Sequence, residues 1–178
     1  MDKPNLSIHE LYAALISHSS RNNLIVQDVL GAVRANRSPV LLTERREHLR
    51  LLHDLLSPLV RNLIVMKGGM GKKQRHLLGE QIAVVPDDEE RVILATGRYL
   101  GEGFDDARLD TLFLTLPVSW RGTLVQYAGR LHGLHDMKRE VTIYDYADLE
   151  VPMLARMFQR RSRGYRAMGY EFEEEDFL

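Results

Sequence analysis

The sequence predicts an α/β fold built on a mostly parallel sheet, and three observations carry that prediction. Apolar runs of strand length recur at 39–43 (Pro-Val-Leu-Leu-Thr), 61–66 (Arg-Asn-Leu-Ile-Val-Met) and 91–95 (Arg-Val-Ile-Leu-Ala), without the alternation of a strand wetted on one face. Helical periods separate them, as in Leu49, Leu52, Leu55, Leu56 and Leu59. Polar or glycine-bearing turns close the runs, and ligands of such folds sit at the carboxyl ends of the strands, where Thr43, Thr96 and Pro117 fall.

Taken in order, the first third is helical, with a period in Ile25, Val29, Ala32 and Val33 and with Asn22 or Asn23 near the start of that helix. The strand at 39–43, the leucine-striped helix and the strand at 61–66 follow. A helix spans about Lys72 to Gly79, then comes the acidic turn Asp87-Asp-Glu-Glu90. Further strands are expected at 91–95, 109–116 and 140–146. A helix opens at Ser119 with Trp120, Leu124, Tyr127 and Leu131 facing inward. The last helix, 151–168, carries Arg156, Arg160, Arg163 and Arg166, and the chain closes in the acidic tail Glu171-Phe-Glu-Glu-Glu-Asp-Phe-Leu178. No internal repeat is visible.

The 178 residues fit roughly one domain, 1–178, with 151–178 as its terminal helix and tail. Lys plus Arg number 24 and Asp plus Glu 25, so the net charge of -1 gives no global attraction to nucleic acid or anionic lipid, and any such binding must be local. The absence of cysteine excludes disulfides, a thiolate zinc site and a cysteine nucleophile. No leader-like start and no membrane-spanning run is present, which gives the expectation of a cytoplasmic protein with no membrane partner.

Four stretches bear chemistry. Lys67-Gly-Gly-Met-Gly71-Lys72-Lys73 resembles a phosphate loop in composition but not in spacing. The pattern would need Gly at Met66 and Ser or Thr at Lys73, so the hydroxyl that holds magnesium is missing. The stretch reads instead as a strand-to-helix turn whose Gly69, Lys72, Lys73 and Arg75 either meet a phosphate backbone or form a solvated basic turn. In Thr96-Gly-Arg98-Tyr-Leu-Gly101-Glu-Gly103-Phe-Asp105, the glycines allow close backbone approach, Thr96 offers a hydroxyl and Asp105 an acceptor pair for sugar hydroxyls. Turn or helix capping by Asp105 and Asp106 is the alternative. Gln126 and Arg130 lie one turn apart, off the inward stripe, where a guanidinium either bridges phosphate oxygens or forms a surface ion pair. The arginine row of the last helix is either a nucleic-acid face or the partner of the acidic tail. His132 and His135, with Asp136 adjacent, have metal-compatible spacing but no fourth ligand, so no metal site is expected. No Ser-His-Asp arrangement is legible.

Together these motifs resemble the second, C-terminal RecA-like domain of superfamily 2 DEAD/DEAH-type helicases, near the type III restriction-subunit group. Val40-Leu-Leu-Thr-Glu-Arg-Arg46 is similar to the family's fourth motif and Gly68-Gly-Met-Gly71 to the turn after the next strand. Ala95-Thr96 through Glu102-Gly-Phe-Asp105 is similar to the fifth motif, and Gln126-Tyr-Ala-Gly-Arg130 to the sixth. The resemblance implies a RecA-like, phosphate-loop-NTPase-like three-layer fold. It implies ATP and Mg2+ in a cleft shared with a preceding, N-terminal RecA-like domain, and a DNA or RNA single strand across both. By carry-over, Gly103 and Asp105 bind ATP, with Asp105 at the ribose, Gln126 and Arg130 face the triphosphate as the catalytic pair, and Thr43, Gly69, Lys72, Thr96 and Arg98 line the nucleic-acid track.

Two departures follow from the same comparison. Gly133 stands where the family's sixth motif ends in a further arginine, and the chain contains neither a phosphate loop nor a magnesium-binding acidic motif. The expectation is therefore that this polypeptide alone does not hydrolyse ATP. The alternative is a non-catalytic RecA-like module that binds nucleic acid or protein. An unrelated nucleotide-handling enzyme would need a phosphate-binding loop after an early strand, and none is found.

Overall fold

The computed structural model describes residues 6–97, 106–118, 124–133 and 140–173, and within them not the side chain of Arg130. Five strands form one sheet: β1 (Pro39–Thr43), β2 (Leu63–Met66), β3 (Val92–Thr96), β4 (Thr111–Leu114) and β5 (Thr142–Asp145). Their spatial order is β2-β3-β1-β4-β5 and every pairing is parallel. The helices are α1 (Ile8–Ser17), α2 (Ser19–Arg34), α3 (Arg46–Leu56), α4 (Lys72–Ala83), α5 (Val125–Leu131) and α6 (Pro152–Ala167).

Alternate residues of each strand enter two separate cores, which is why the runs lack polar alternation. Val40, Leu42, Ile93, Ala95, Leu112 and Leu114 pack on one face with Leu78 and Ile82 of α4, Tyr127 and Leu131 of α5 and Tyr165 of α6. Leu41, Val92, Leu94 and Phe113 pack on the other with Ile25 and Val29 of α2 and Leu49, Leu52 and Leu56 of α3. The result is the expected three-layer arrangement. A smaller cluster joins Leu11 and Leu15 of α1 to Leu116 and Leu154, so α1 lies beyond the end of β4 against the start of α6.

Several expectations are refined. The helical first third is two helices that break at His18, whose ring nitrogen accepts from the Arg21 backbone N–H at 3.2 Å and so caps α2. Asn22 is therefore not at the helix start. It is buried one turn in, donating to the Ile16 carbonyl at 2.8 Å. Leu59 is 52% exposed because α3 has already ended at Leu56. The apolar ends of the expected strand at 109–116, Leu109 and Leu116, are buried outside the ladder. The expected helix opening at Ser119 lies in part outside the described residues, as do His135 and Asp136; no group of three metal-ligating side chains occurs among the described residues. No helix there is long and apolar enough to cross a membrane.

The two edges of the sheet differ in chemistry. At the amino edge Arg37 donates to Thr111 Oγ1 (3.0 Å), Thr142 Oγ1 (2.7 Å) and Glu140 Oε1 (3.2 Å), tying the starts of β4 and β5 to the residues that enter β1. The Asp110 carboxylate accepts from the Ser38 N–H at 2.8 Å. Toward the carboxyl edge, Arg161 of α6 is fully buried and makes two hydrogen bonds to Asp145, at 2.7 and 2.8 Å. Its third nitrogen donates to the Val118 carbonyl at 3.1 Å, and the Tyr165 hydroxyl donates to Asp145 at 2.8 Å. Two charges are withdrawn from water here, and the bidentate geometry with further donors offsets that cost.

Behind β1, His48 is buried between Thr43 and Asn22, with Nδ1 3.1 Å from Thr43 Oγ1 and Nε2 3.0 Å from Asn22 Oδ1. An amide oxygen can only accept, so Nε2 carries the proton and Nδ1 accepts from the threonine hydroxyl. The ring is held neutral: burial first, and the Arg21 charge second, push its pKa down to about 4.

Removing one member of a buried ion pair leaves the other uncompensated. Arg161→Leu is therefore expected to destabilise the fold by about 3–5 kcal/mol, read by urea denaturation; a loss below about 1 kcal/mol would show that Asp145 does not depend on it. The histidine makes a pH prediction. Its folded pKa lies below the ordinary 6.5, so its contribution is full above pH 6.5 and is lost as pH falls toward about 4. Over that window the wild type is expected to lose about 3 kcal/mol more stability than His48→Gln; parallel stability curves for the two proteins would contradict the buried neutral imidazole.

Candidate functional site

In an all-parallel sheet the carboxyl ends of all strands meet at one edge, so the turns after β1, β2 and β3 are neighbours by construction. Register makes this concrete: Thr43 pairs with Thr96, and Met66 with Ala95. Just beyond, the Gly68 N–H donates to Thr96 Oγ1 at 3.0 Å, joining the turn after β2 to the end of β3. Gly69 has φ +89°, a conformation that favours glycine, and its open side lies 4.0 Å from an Arg46 guanidinium nitrogen. The Gly71 N–H is capped by Gln74 Oε1 at 3.2 Å, which starts α4. Lys67, Lys72, Lys73 and Arg46 are all exposed around this turn, so a locally basic rim exists on a chain of balanced charge.

Helix α5 is fixed to the same edge. Its Tyr127 ring is buried in the core, while the hydroxyl donates to the carbonyl of Gly97, immediately after β3. Burial, and secondarily the Glu44 carboxylate, push the Tyr127 pKa up, so the hydroxyl keeps the proton it donates. A Cβ at Gly97 would collide with Glu44 Oε1 and lie 3.0 Å from the Tyr127 hydroxyl, so a side chain there would displace the Glu44 carboxylate. Glu44 also faces Tyr12 of α1, whose pKa is raised by burial and then by that carboxylate. The turn after β1 is thus flanked by α1 and α5.

The far end of α5 makes a second tie. A Cβ on Gly133 would stand 3.2 Å from Cα of Ala107, so the turn after α5 lies against the chain just past residue 105. Asp106, at that return, pairs with the buried Arg91 and accepts from the Arg108 N–H at 3.1 Å. Its role is structural, the capping alternative weighed for this pair of aspartates. Gly97 just after β3 and Ala107 before β4 are thus both held beside α5 and the turn that follows it. At Gly133 itself, an arginine would require Ala107 to give way by a few tenths of an ångström.

The expected site residues are distributed unevenly. Gly69, Lys72 and Thr96 meet at the carboxyl edge, and Gln126 is exposed on α5 beside it. Arg130 follows one turn later on the same helix, with its side chain outside the description. Arg98, Gly103 and Asp105 lie outside the described residues. Thr43 is not brought to the surface: it is 1% exposed and its hydroxyl is engaged by His48 and by the Arg45 N–H at 3.4 Å, so it shapes the turn that presents Arg45 and Arg46. Reading the residues one by one missed Tyr127, Glu44 and Arg161. The available signal for Tyr127 was a hydroxyl-bearing ring on an otherwise apolar stripe, since a buried tyrosine normally finds a partner.

No protein-family model matches the chain. Among solved structures, T4 UvsW superimposes with a TM-score of 0.69 at 16% identity, over 92% of this chain and 36% of that one. The C-terminal domain of the DEAD-box protein Dbp5 gives 0.62 at 13%, over 85% and 80%, and the C-terminal part of the Fun30 ATPase domain gives 0.58 at 16%, over 69% and 39%. The chain therefore has the RecA-like fold of such C-terminal domains, and spans little more than a third of the UvsW and Fun30 chains it matches. In sequence it is 33% identical over 103 residues to Uncharacterized protein 108L of Invertebrate iridescent virus 3, a match covering 57% of this chain and 91% of that protein. At that identity and coverage, the chain belongs to the family of the iridescent virus protein 108L.

Proposed function

We propose that this chain acts as the second RecA-like domain of an ATP-dependent nucleic-acid helicase or translocase, facing ATP from one side of an interdomain cleft. The observation that carries the reading is the double attachment of α5: Tyr127 to Gly97 and Gly133 to Ala107. Gly97 and Ala107, described residues on either side of Gly103 and Asp105 in sequence, lie against α5 and the turn that follows it, which supports assigning ribose-directed and phosphate-directed groups to one edge. A guanidinium there neutralises charge on a transferring phosphoryl group. The Gly68–Gly71 turn, Thr96 and the rim of Arg46, Lys67 and Lys72 serve the backbone of a single strand, in the manner of a phosphate-positioning surface rather than a base reader. Similar structures of S. cerevisiae Dbp5 hold RNA and ADP BeF3. Magnesium and the phosphate loop belong to a preceding RecA-like domain.

A second reading, a binding module without catalysis, is favoured by one feature, Gly133 in the position of the family's last arginine. Turnover separates the two. With the chain joined to a RecA-like domain carrying a phosphate loop, single-strand-stimulated ATP hydrolysis is expected, and Arg130→Ala is expected to lower it on the order of a thousandfold with the fold intact. Absence of turnover in the joined protein, or indifference to Arg130→Ala, favours the binding module. The 178-residue chain by itself is expected to be inactive; hydrolysis by it that Arg130→Ala abolishes would overturn the two-domain site. Tyr127→Phe, which leaves the Gly97 carbonyl without its donor, is expected to cost about 1–3 kcal/mol in urea denaturation; an unchanged midpoint would mean α5 is not held by that bond.

A further inference from the structure

Helix α6 carries a surface that the reading above does not use. Its sequence, Pro-Met-Leu-Ala-Arg-Met-Phe-Gln-Arg-Arg-Ser-Arg-Gly-Tyr-Arg-Ala, contains five arginines, no lysine and no acidic residue. On a chain with 24 basic and 25 acidic residues this is a local concentration of one sign. The five arginines divide by burial. Arg161 is sealed beneath the helix on Asp145, whereas Arg156, Arg160, Arg163 and Arg166 are exposed.

The contrast with the rest of the molecule is informative. The buried arginines Arg21, Arg91 and Arg161 are each paired with an aspartate: Asp148, Asp106 and Asp145. Arg156, Arg160 and Arg163 have no carboxylate partner among the described residues. They fall at i, i+4 and i+7, one stripe along the helix, with Arg166 flanking its end. Like charges at those spacings repel one another, and a polyanion lying along the stripe relieves the repulsion. The stripe is also rigid: Leu154, Arg161, Ser162, Gly164 and Tyr165 are buried on the opposite face, and the Arg161–Asp145 pair fixes the helix roll.

From these observations the geometry points to a second phosphate-binding surface on α6, one that takes the backbone of a nucleic acid strand along Arg156, Arg160, Arg163 and Arg166. Arginine suits this chemistry because its planar fork makes paired hydrogen bonds to phosphate oxygens without losing its charge. From Arg156 to Arg166 the helix rises about 15 Å, the length of about four to five nucleotides along a duplex strand. An aromatic platform adjoins the row: Phe172 is 42% exposed and lies 4.9 Å from the Arg166 guanidinium, against the edge of Tyr165. Exposed rings beside a basic track are the usual means of holding unstacked bases. Among the described residues, neither Glu171 nor Glu173 forms an ion pair with the row. Gly169, at φ +88°, turns the chain so that Tyr170 meets His132 and Phe172 meets Arg166, while Glu171 and Glu173 remain exposed. The start of α6 packs through Leu154 on Leu116 and α1, at the carboxyl side of the sheet. A strand leaving the edge proposed above could continue onto it, although the site stands on α6 alone.

The test is fluorescence anisotropy of the 178-residue chain with a labelled oligothymidine, over a salt series, for three proteins. These are the wild type, the triple variant Arg156→Gln, Arg160→Gln, Arg163→Gln, and the edge variant Lys72→Gln, Lys73→Gln. Melting temperature controls for folding, and all substituted side chains are exposed. The triple variant is expected to bind at least about tenfold more weakly at low salt and to flatten the slope of log K against log salt by about 2, the value for three lost phosphate contacts on a single strand. An unchanged affinity and slope in the triple variant would overturn the α6 surface, and if the edge variant alone weakened binding, the reading of the edge would survive that failure. Poly-glutamate displacing the oligonucleotide at equal charge concentration would also overturn it, since the row would then be a carboxylate-binding surface.

Discussion

The constraint on which the molecule depends is that all five strands run the same way and are covered on both faces. Two separate cores follow from it, one under α4, α5 and α6 and one under α2 and α3. The division of labour between the sheet edges follows too. The amino edge is closed by Arg37 and Asp110 in a mesh of short hydrogen bonds, so it contributes rigidity. The carboxyl edge collects turns of unlike chemistry: a glycine of positive φ at 69, an internal threonine–amide bond, and exposed cations.

Within that frame a few polar contacts decide where the functional elements sit. Hydrophobic packing alone would allow α5 to slide along its groove. The Tyr127 hydroxyl on Gly97 limits that freedom, and the turn at Gly133 lies close against Ala107. Arg161 performs the equivalent task for α6, fixing which side of the helix is buried and thereby which arginines reach solvent. In both cases a buried, hydrogen-bonded polar group specifies an orientation that apolar contacts leave loose.

The strands and layers were legible in the sequence because their physical cause is local. Runs such as Val92-Ile-Leu-Ala have no polar residue to place in water, so they must be covered on both faces. Strand order was not legible, since nothing in the turn after β3 records that β1 intervenes before β4. The break at His18 was hidden because one helical period runs close to the next, and the capping group is an imidazole rather than one of the usual small polar residues. At the site, glycines and threonines at strand ends could be read from their positions, whereas Thr43 differed because a histidine five residues later turns its hydroxyl inward. Arg160 and Arg161 are adjacent and chemically identical; only the roll of the helix, set by Asp145 far away in sequence, separates a structural arginine from a surface one.

As proposed above, Gly97 just after β3 and helix α5 belong to a single ligand-bearing edge. Backbone amide chemical shifts of the isotope-labelled chain, followed during titration first with ATP and then with an oligothymidine strand, test it most directly. ATP is expected to perturb the amides around Gln126 to Arg130 together with those flanking Gly97, and the strand is expected to perturb Gly68 to Gly71 and Thr96. Perturbations confined to the opposite edge, at Arg37, Asp110 and Glu140, or ATP-induced shifts on α5 with none near Gly97, would contradict it.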